Sequence, residues 1–189
     1  MKTNISIDTR EFTPAEVAAI TGVSVSLQRD WRRREILPER KKEGWTRFTL
    51  TDVIEIRVLK FFADAGFSVK DVREYSSMAV LPVWVLLKDI PGAVVFEGDP
   101  IGEQLQERIL LSMEKDAGAA AGKRYFVIAH GANIPMDDRS GRFSTLRDVE
   151  AWLEQKLFEG FTAIDFEAIA AAISHASGEP LIYVKCKSE

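Results

Sequence analysis

Only one cysteine, Cys186, and two histidines, His130 and His175, occur in the 189 residues. A lone thiol closes no internal disulfide, and one thiol with two imidazoles makes no convincing zinc or iron–sulfur site. Long apolar runs are missing as well. The longest, Met78 to Leu87, is about half of the roughly 18 residues that span a bilayer, and it contains Pro82. Met1 to Arg10 mixes Lys2, Asp8 and Arg10 with polar residues and lacks the apolar centre of a signal peptide. No phosphate-binding glycine motif and no nucleophile motif is present. These absences argue against a cofactor, a metal, a membrane or an enzymatic activity, and they point to the cytoplasm.

The rest of the composition is that of a globular chain, 46% hydrophobic and 29% charged. The length allows one large domain or two small ones. A net charge of −4 argues against nucleic acid only if it is spread evenly, and it is not. Residues 1–80 hold 14 Lys+Arg against 12 Asp+Glu, a net of +2, and residues 81–189 hold 11 against 17, a net of −6. Within 28–48 eight basic residues face four acidic ones, enough for a local electrostatic footprint.

Helix starts are frequent in the first eighty residues. Thr13-Pro14-Ala15-Glu16 is a capping box with proline at the first helical position. Thr49-Leu50-Thr51-Asp52 and Ser68-Val69-Lys70-Asp71 repeat the Ser/Thr-x-x-acid pattern, and Ser24 follows the breaker Gly22. This predicts helices over 14–20, 24–34, 50–65 and 69–77. The short turn between the first two is the spacing of a helix-turn-helix. Between the second and third, the basic stretch from Arg40 to Thr49 turns at Gly44 and reads as a β-hairpin able to lie against a phosphate backbone.

In these residues the chain resembles the DNA-binding domain of the MerR family of winged-helix regulators. The matching stretches are Phe12-Thr13-Pro14-Ala15-Glu16-Val17-Ala18, Thr21-Gly22-Val23-Ser24-Val25 and Ile36-Leu37-Pro38. Gly44-Trp45-Thr46-Arg47-Phe48 resembles the wing, and Ala65-Gly66-Phe67-Ser68-Val69-Lys70-Asp71-Val72 the junction after the third helix. Two positions depart from the family. Asp30 and Trp31 follow Arg29 where two aromatics are usual, and Glu35 stands where glycine is usual.

The resemblance implies double-stranded DNA as partner, with helix 24–34 in the major groove and the wing at 40–48 on the adjacent backbone. Arg29 aligns with the family's recognition-helix arginine and is the leading groove or phosphate contact; the alternative is a pair with an acidic neighbour. Ser26 and Gln28 lie early on the helix, where side chains reach base edges. Of Arg32, Arg33 and Arg34, which cover nearly a full turn, one or two meet phosphate. Arg47 matches the family's backbone contact, and Lys41 and Lys42 are its phosphate neighbours. Phosphate contacts supply affinity and salt dependence, and base contacts supply specificity.

The second region is quieter. Apolar runs at Ala93–Phe96, Tyr125–Ala129 and Leu181–Lys185 read as strands, between helices at about 101–117, 146–159 and 165–175. The fold class is therefore α+β: a winged helix-turn-helix over 1–78, then a small α/β dimerisation or ligand-sensing domain over 79–189 with three or four strands. Ile101, Leu105, Ile109 and Met113 form a helical stripe, either a core face or a surface for a partner. Family members follow the DNA-binding domain with a long dimerisation helix, but Pro82 and Pro91-Gly92 stand where it would run. His130 after a strand is a ligand candidate or an incidental loop residue.

These readings make the chain a sequence-specific transcription regulator, a homodimer on two half-sites, with RNA polymerase and a small-molecule effector as further partners. The family acts by distorting promoter DNA. One rival is an architectural DNA-binding protein of a phage or mobile element, of the excisionase or small packaging-subunit type. Others treat 81–189 as a targeted enzyme or as a protein-binding module.

Overall fold

The first and last strands of the chain lie side by side, so the elements that flank the helical N-terminal region meet in one sheet. The computed structural model describes residues 3–37, 47–118, 122–130, 140–155 and 159–188. In order they form β1 (Thr3–Thr9), α1 (Pro14–Thr21), α2 (Val25–Arg33), α3 (Leu50–Asp64), α4 (Arg73–Leu86) and a 3-10 turn (Leu87–Asp89). Then come β2 (Val94–Gly98), α5 (Glu103–Asp116), β3 (Tyr125–His130), β4 (Ser140–Phe143), α6 (Leu146–Glu154), β5 (Gly160–Asp165), α7 (Phe166–Ser177) and β6 (Ile182–Ser188). A helical N-terminal region followed by a small α/β part is the class expected.

Two capping boxes close as the sequence predicts, at Thr13/Glu16 and Thr49/Asp52; a third forms at Thr145/Asp148, and Asp165 caps α7. The box expected at Ser68 does not form. The Ser68 carbonyl accepts from the Asp71 N–H at 3.0 Å, and α4 begins at Arg73 behind Val72, which makes no side-chain cap. Phe67, Val69 and Val72 pack on the core, and their burial holds 67–72 in turns. The helix then continues past 77 and through Pro82 to Leu86. A proline inside a helix costs about 3 kcal/mol. Burial of Val83, Val85 and Leu87, at about 1.5–3 kcal/mol for each large side chain, offsets it.

The described residues hold two sheets of three strands rather than one, ordered β1-β6-β2 and β4-β3-β5. Strand β6 is antiparallel to β1 and parallel to β2, and β3 is antiparallel to both neighbours. Strands β1, β4 and β5 are additional to the three predicted. Helix α5 covers the first sheet: Ile109 packs with Val184 and Cys186, and Ile101 and Leu105 pack beside them. Met113 enters the main core, so the stripe is a core face within the chain.

That core runs through both regions. Its aromatic rings form a path from Phe62 to Tyr75 (6.3 Å between centroids), from Tyr75 to Phe126 (5.2 Å) and from Phe126 to Phe166 (6.3 Å). The path joins α3, α4, β3 and α7. The divide expected between 78 and 79 falls within α4.

Candidate nucleic-acid interface

The pose of α2 is set by the short chain before it. Thr13 accepts from the Glu16 N–H at 3.3 Å, and the Glu16 carboxylate accepts from the Thr13 N–H and hydroxyl, both at 2.7 Å. Those two donors, with Arg10 behind them, hold the Glu16 carboxyl below the ordinary carboxylate range. Arg10 also donates to the Ser177 hydroxyl at 2.7 Å and lies 3.2 Å from Glu179, fastening the start of α1 to the end of α7.

Helix α1 ends at Gly22, whose φ of 74° is the left-handed conformation that glycine adopts without strain. The buried Thr21 hydroxyl donates to the Val17 carbonyl at 2.6 Å and accepts from the Val23 N–H at 3.2 Å, closing the turn. Ser24 then caps α2 by accepting from the Leu27 N–H at 3.2 Å. From the far side, Arg57 of α3 donates to the Thr21 carbonyl at 3.2 Å. Val17, Ile20, Val23 and Trp31 fill the space between the two helices.

Gln28 departs from the expected role. It is 1% exposed, and its amide nitrogen donates to the Pro14 carbonyl at 3.0 Å and the Val23 carbonyl at 2.9 Å. It braces the start of α1 against α2 and does not lie on the outer face. The helical spacing of Val25, Gln28 and Trp31 carries that signal, because residues three apart share a face.

The outward face of α2 is Ser26, Arg29 and Arg33, all exposed. Ser26 meets the Ser24 hydroxyl at 2.9 Å. Arg33, 80% exposed, pairs with Asp30 at 2.5 Å, and Arg34 lies 3.6 Å from the same carboxylate. Among the described residues Arg29 has no ion-pair partner, so the acidic neighbour is engaged by the later arginines. Arg32 turns elsewhere, its guanidinium 4.5 Å from the centre of the Phe48 ring.

After α2, Glu35 has φ 58°, the one non-glycine residue in the left-handed region among those described. Ile36 and Leu37 are buried beyond it. The expected hairpin over 40–48, with Lys41 and Lys42, lies outside the described residues except for its end. There Arg47 is exposed, and buried Phe48 exchanges two backbone hydrogen bonds of 2.8 Å with Phe12. This bridge anchors the exit of the segment to the start of α1, beside the cap of α3 at Thr49.

Elsewhere, His130 ends β3, with its Nε2 at 2.9 Å from the Thr162 hydroxyl and its ring 5.5 Å from Phe67. Trp84, Tyr125 and Phe126 are core or partly buried. A cleft of about 390 Å³ lies among Ile36, Glu55, Arg73 and Ser76. Burial, with Asp52 nearby, pushes the Glu55 carboxyl up from its ordinary value. Among the described residues no cluster of three metal-ligating side chains occurs, and no helix is long and apolar enough to cross a membrane.

Residues 12–79 match the model of a family described as MerR HTH family regulatory protein. The match opens at Phe12 of the backbone bridge and closes inside α4. No curated protein matches the chain.

Proposed function

Because residues 12–79 are a MerR-family helix-turn-helix domain, we propose that the chain is a sequence-specific, double-stranded DNA-binding transcription regulator. The observation that carries this reading is the outward face of α2. Ser26, Arg29 and Arg33 stand together on a helix whose pose is fixed from behind by Gln28 and Arg57. A rigid helix with a cationic outer face fits the major groove, with Arg29 and Ser26 meeting base edges or adjacent phosphate. Arg33 and Arg47 neutralise phosphates on either side, joined by Lys41 and Lys42, while Arg32 lines the side facing Phe48.

In this reading the protein works in the cytoplasm as a homodimer on two half-sites, without catalysis. The sheets serve dimerisation or ligand sensing, and RNA polymerase is the machinery served. Genome-wide footprinting of the full chain, with Arg29→Ala as control, tests the reading. Sharp peaks at promoters that vanish in the variant support it. Peaks confined to one mobile-element locus, or none above the variant, overturn it.

A further inference from the structure

Among the described residues the first sheet ends at β1, and none of them pairs with the outer edge of that strand. Edge strands ordinarily carry lysine, proline or a bulge that discourages further pairing. Between Thr3 and Thr9 there is no Lys, Arg or Pro, and the register with β6 runs from Thr3 to Thr9 without a break. The one charged side chain, Asp8, is neutralised by Lys185 on β6 at 2.7 Å.

Backbone direction fixes what this edge presents. The Arg10 N–H donates to the Leu181 carbonyl at 3.0 Å. In an antiparallel ladder, residues of the same parity, Asp8, Ser6 and Asn4, then direct their backbone groups to β6. The N–H and C=O groups of Thr3, Ile5, Ile7 and Thr9 therefore point away from the sheet. Ile5 stands opposite Cys186 and Ile7 opposite Val184, which puts both side chains on the face that α5 covers. Helix α5 buries Val184 and Cys186 but leaves Ile5 36% and Ile7 39% exposed.

We propose that β1 pairs antiparallel with β1 of a second copy of this chain, about a twofold axis at Ser6, to make one six-stranded sheet. This gives a surface to the homodimer proposed above and so deepens that reading. In this register Thr3 meets the partner's Thr9 and Ile5 meets the partner's Ile7. Every outward backbone group is then used, in about eight hydrogen bonds at two per pair. The isoleucines of both copies gather on the α5 side and extend its apolar layer. On the other face Ser6 meets the partner's Ser6 and Asn4 meets the partner's Asp8, so no like charges oppose each other. The strand is complementary to itself in hydrogen bonding, in apolar contact and in charge, which is why a second copy is the fitting occupant.

Cysteine placement in the full chain tests the register, since Cys186 is buried and common to every variant. Ser6 faces its own copy as a pair without mutual backbone bonds, at a Cα separation that a disulfide accepts, whereas Asn4 does not face itself. Under mild oxidation Ser6→Cys is expected to form a covalent dimer at least about tenfold faster than Asn4→Cys. The Ile5→Lys/Ile7→Lys double variant is expected to sediment as a monomer, with its circular dichroism retained, where the wild type sediments as a dimer. Equal cross-linking of the two cysteine variants, a monomeric wild type at micromolar concentration, or a lysine variant that stays dimeric overturns the proposal. If the lysine variant does not fold, the cysteine pair decides alone. No readout involves DNA, so a monomer that still binds its site removes this interface and leaves the DNA-binding reading in place.

Discussion

The helix-turn-helix and the two sheets differ in how far apart in sequence their partners lie. Gln28 reaches a carbonyl 14 positions away, and the capping boxes close over three. Arg10 reaches Ser177, 167 positions away, and β1 pairs with β6 from opposite ends of the chain. Local closure leaves a mark on sequence, in caps, turn glycines and helical stripes. Pairing between distant strands leaves little when the strands are short or polar. Yet both regions share one apolar core, so the contrast concerns how each is specified rather than whether each is stable alone.

The largest effect should come from Phe62→Ala, which empties a fully buried ring position beside Phe61, Phe67 and Tyr75. Removing a core phenyl costs about 3–5 kcal/mol. Calorimetry should show one unfolding transition, lowered as a whole, because the aromatic path joins α3 to β3 and α7. A second transition left at its wild-type temperature would separate the two regions.

Next comes Gln28→Ala, which strips the amide from the part-buried Pro14 carbonyl and the buried Val23 carbonyl and should cost about 2 kcal/mol. Thermal melting distinguishes the brace from a base contact. A fall in Tm that accompanies any loss of DNA affinity fits the brace. Weaker DNA binding at an unchanged Tm would return Gln28 to the groove.

The smallest effect has the opposite sign. Glu35 adopts φ 58° just after α2. A left-handed residue that is not glycine carries about 1–2 kcal/mol of strain, part of which glycine's extra freedom when unfolded cancels. Glu35→Gly should therefore raise Tm by about 2–4 °C per kcal/mol recovered. An unchanged or lower Tm would show the position to be unstrained.

Much of the N-terminal region was legible. Thr13, Gly22, Ser24 and Thr49 announced the boundaries of α1, α2 and α3, and the basic residues of α2 announced its outer face. Ser68 misled, because the burial of Phe67, Val69 and Val72 outweighs a capping pattern. Pro82 misled too, because buried neighbours carry α4 through it. The place of Gln28 early on α2 suggests a base contact, but its spacing from Val25 and Trp31 turns it inward. In the second region β6, β3 and β2 were visible as apolar runs. Strand β1 offers only Ile5 and Ile7 among polar residues, β4 is four residues long, and β5 has one fully buried side chain, Ile164. Such strands are defined by their partners more than by their own composition.

DNA reading by the outer face of α2 is best measured by a salt-dependent titration of the full chain onto its selected duplex and onto scrambled DNA, with Arg29→Ala and Arg47→Ala alongside. Arg29→Ala is expected to weaken the selected duplex by about 1–3 kcal/mol more than the scrambled one. Arg47→Ala should weaken both alike and reduce the salt slope by about one. Equal losses for Arg29→Ala on both duplexes, or none, would contradict the assignment of α2's outer face as the surface that reads DNA.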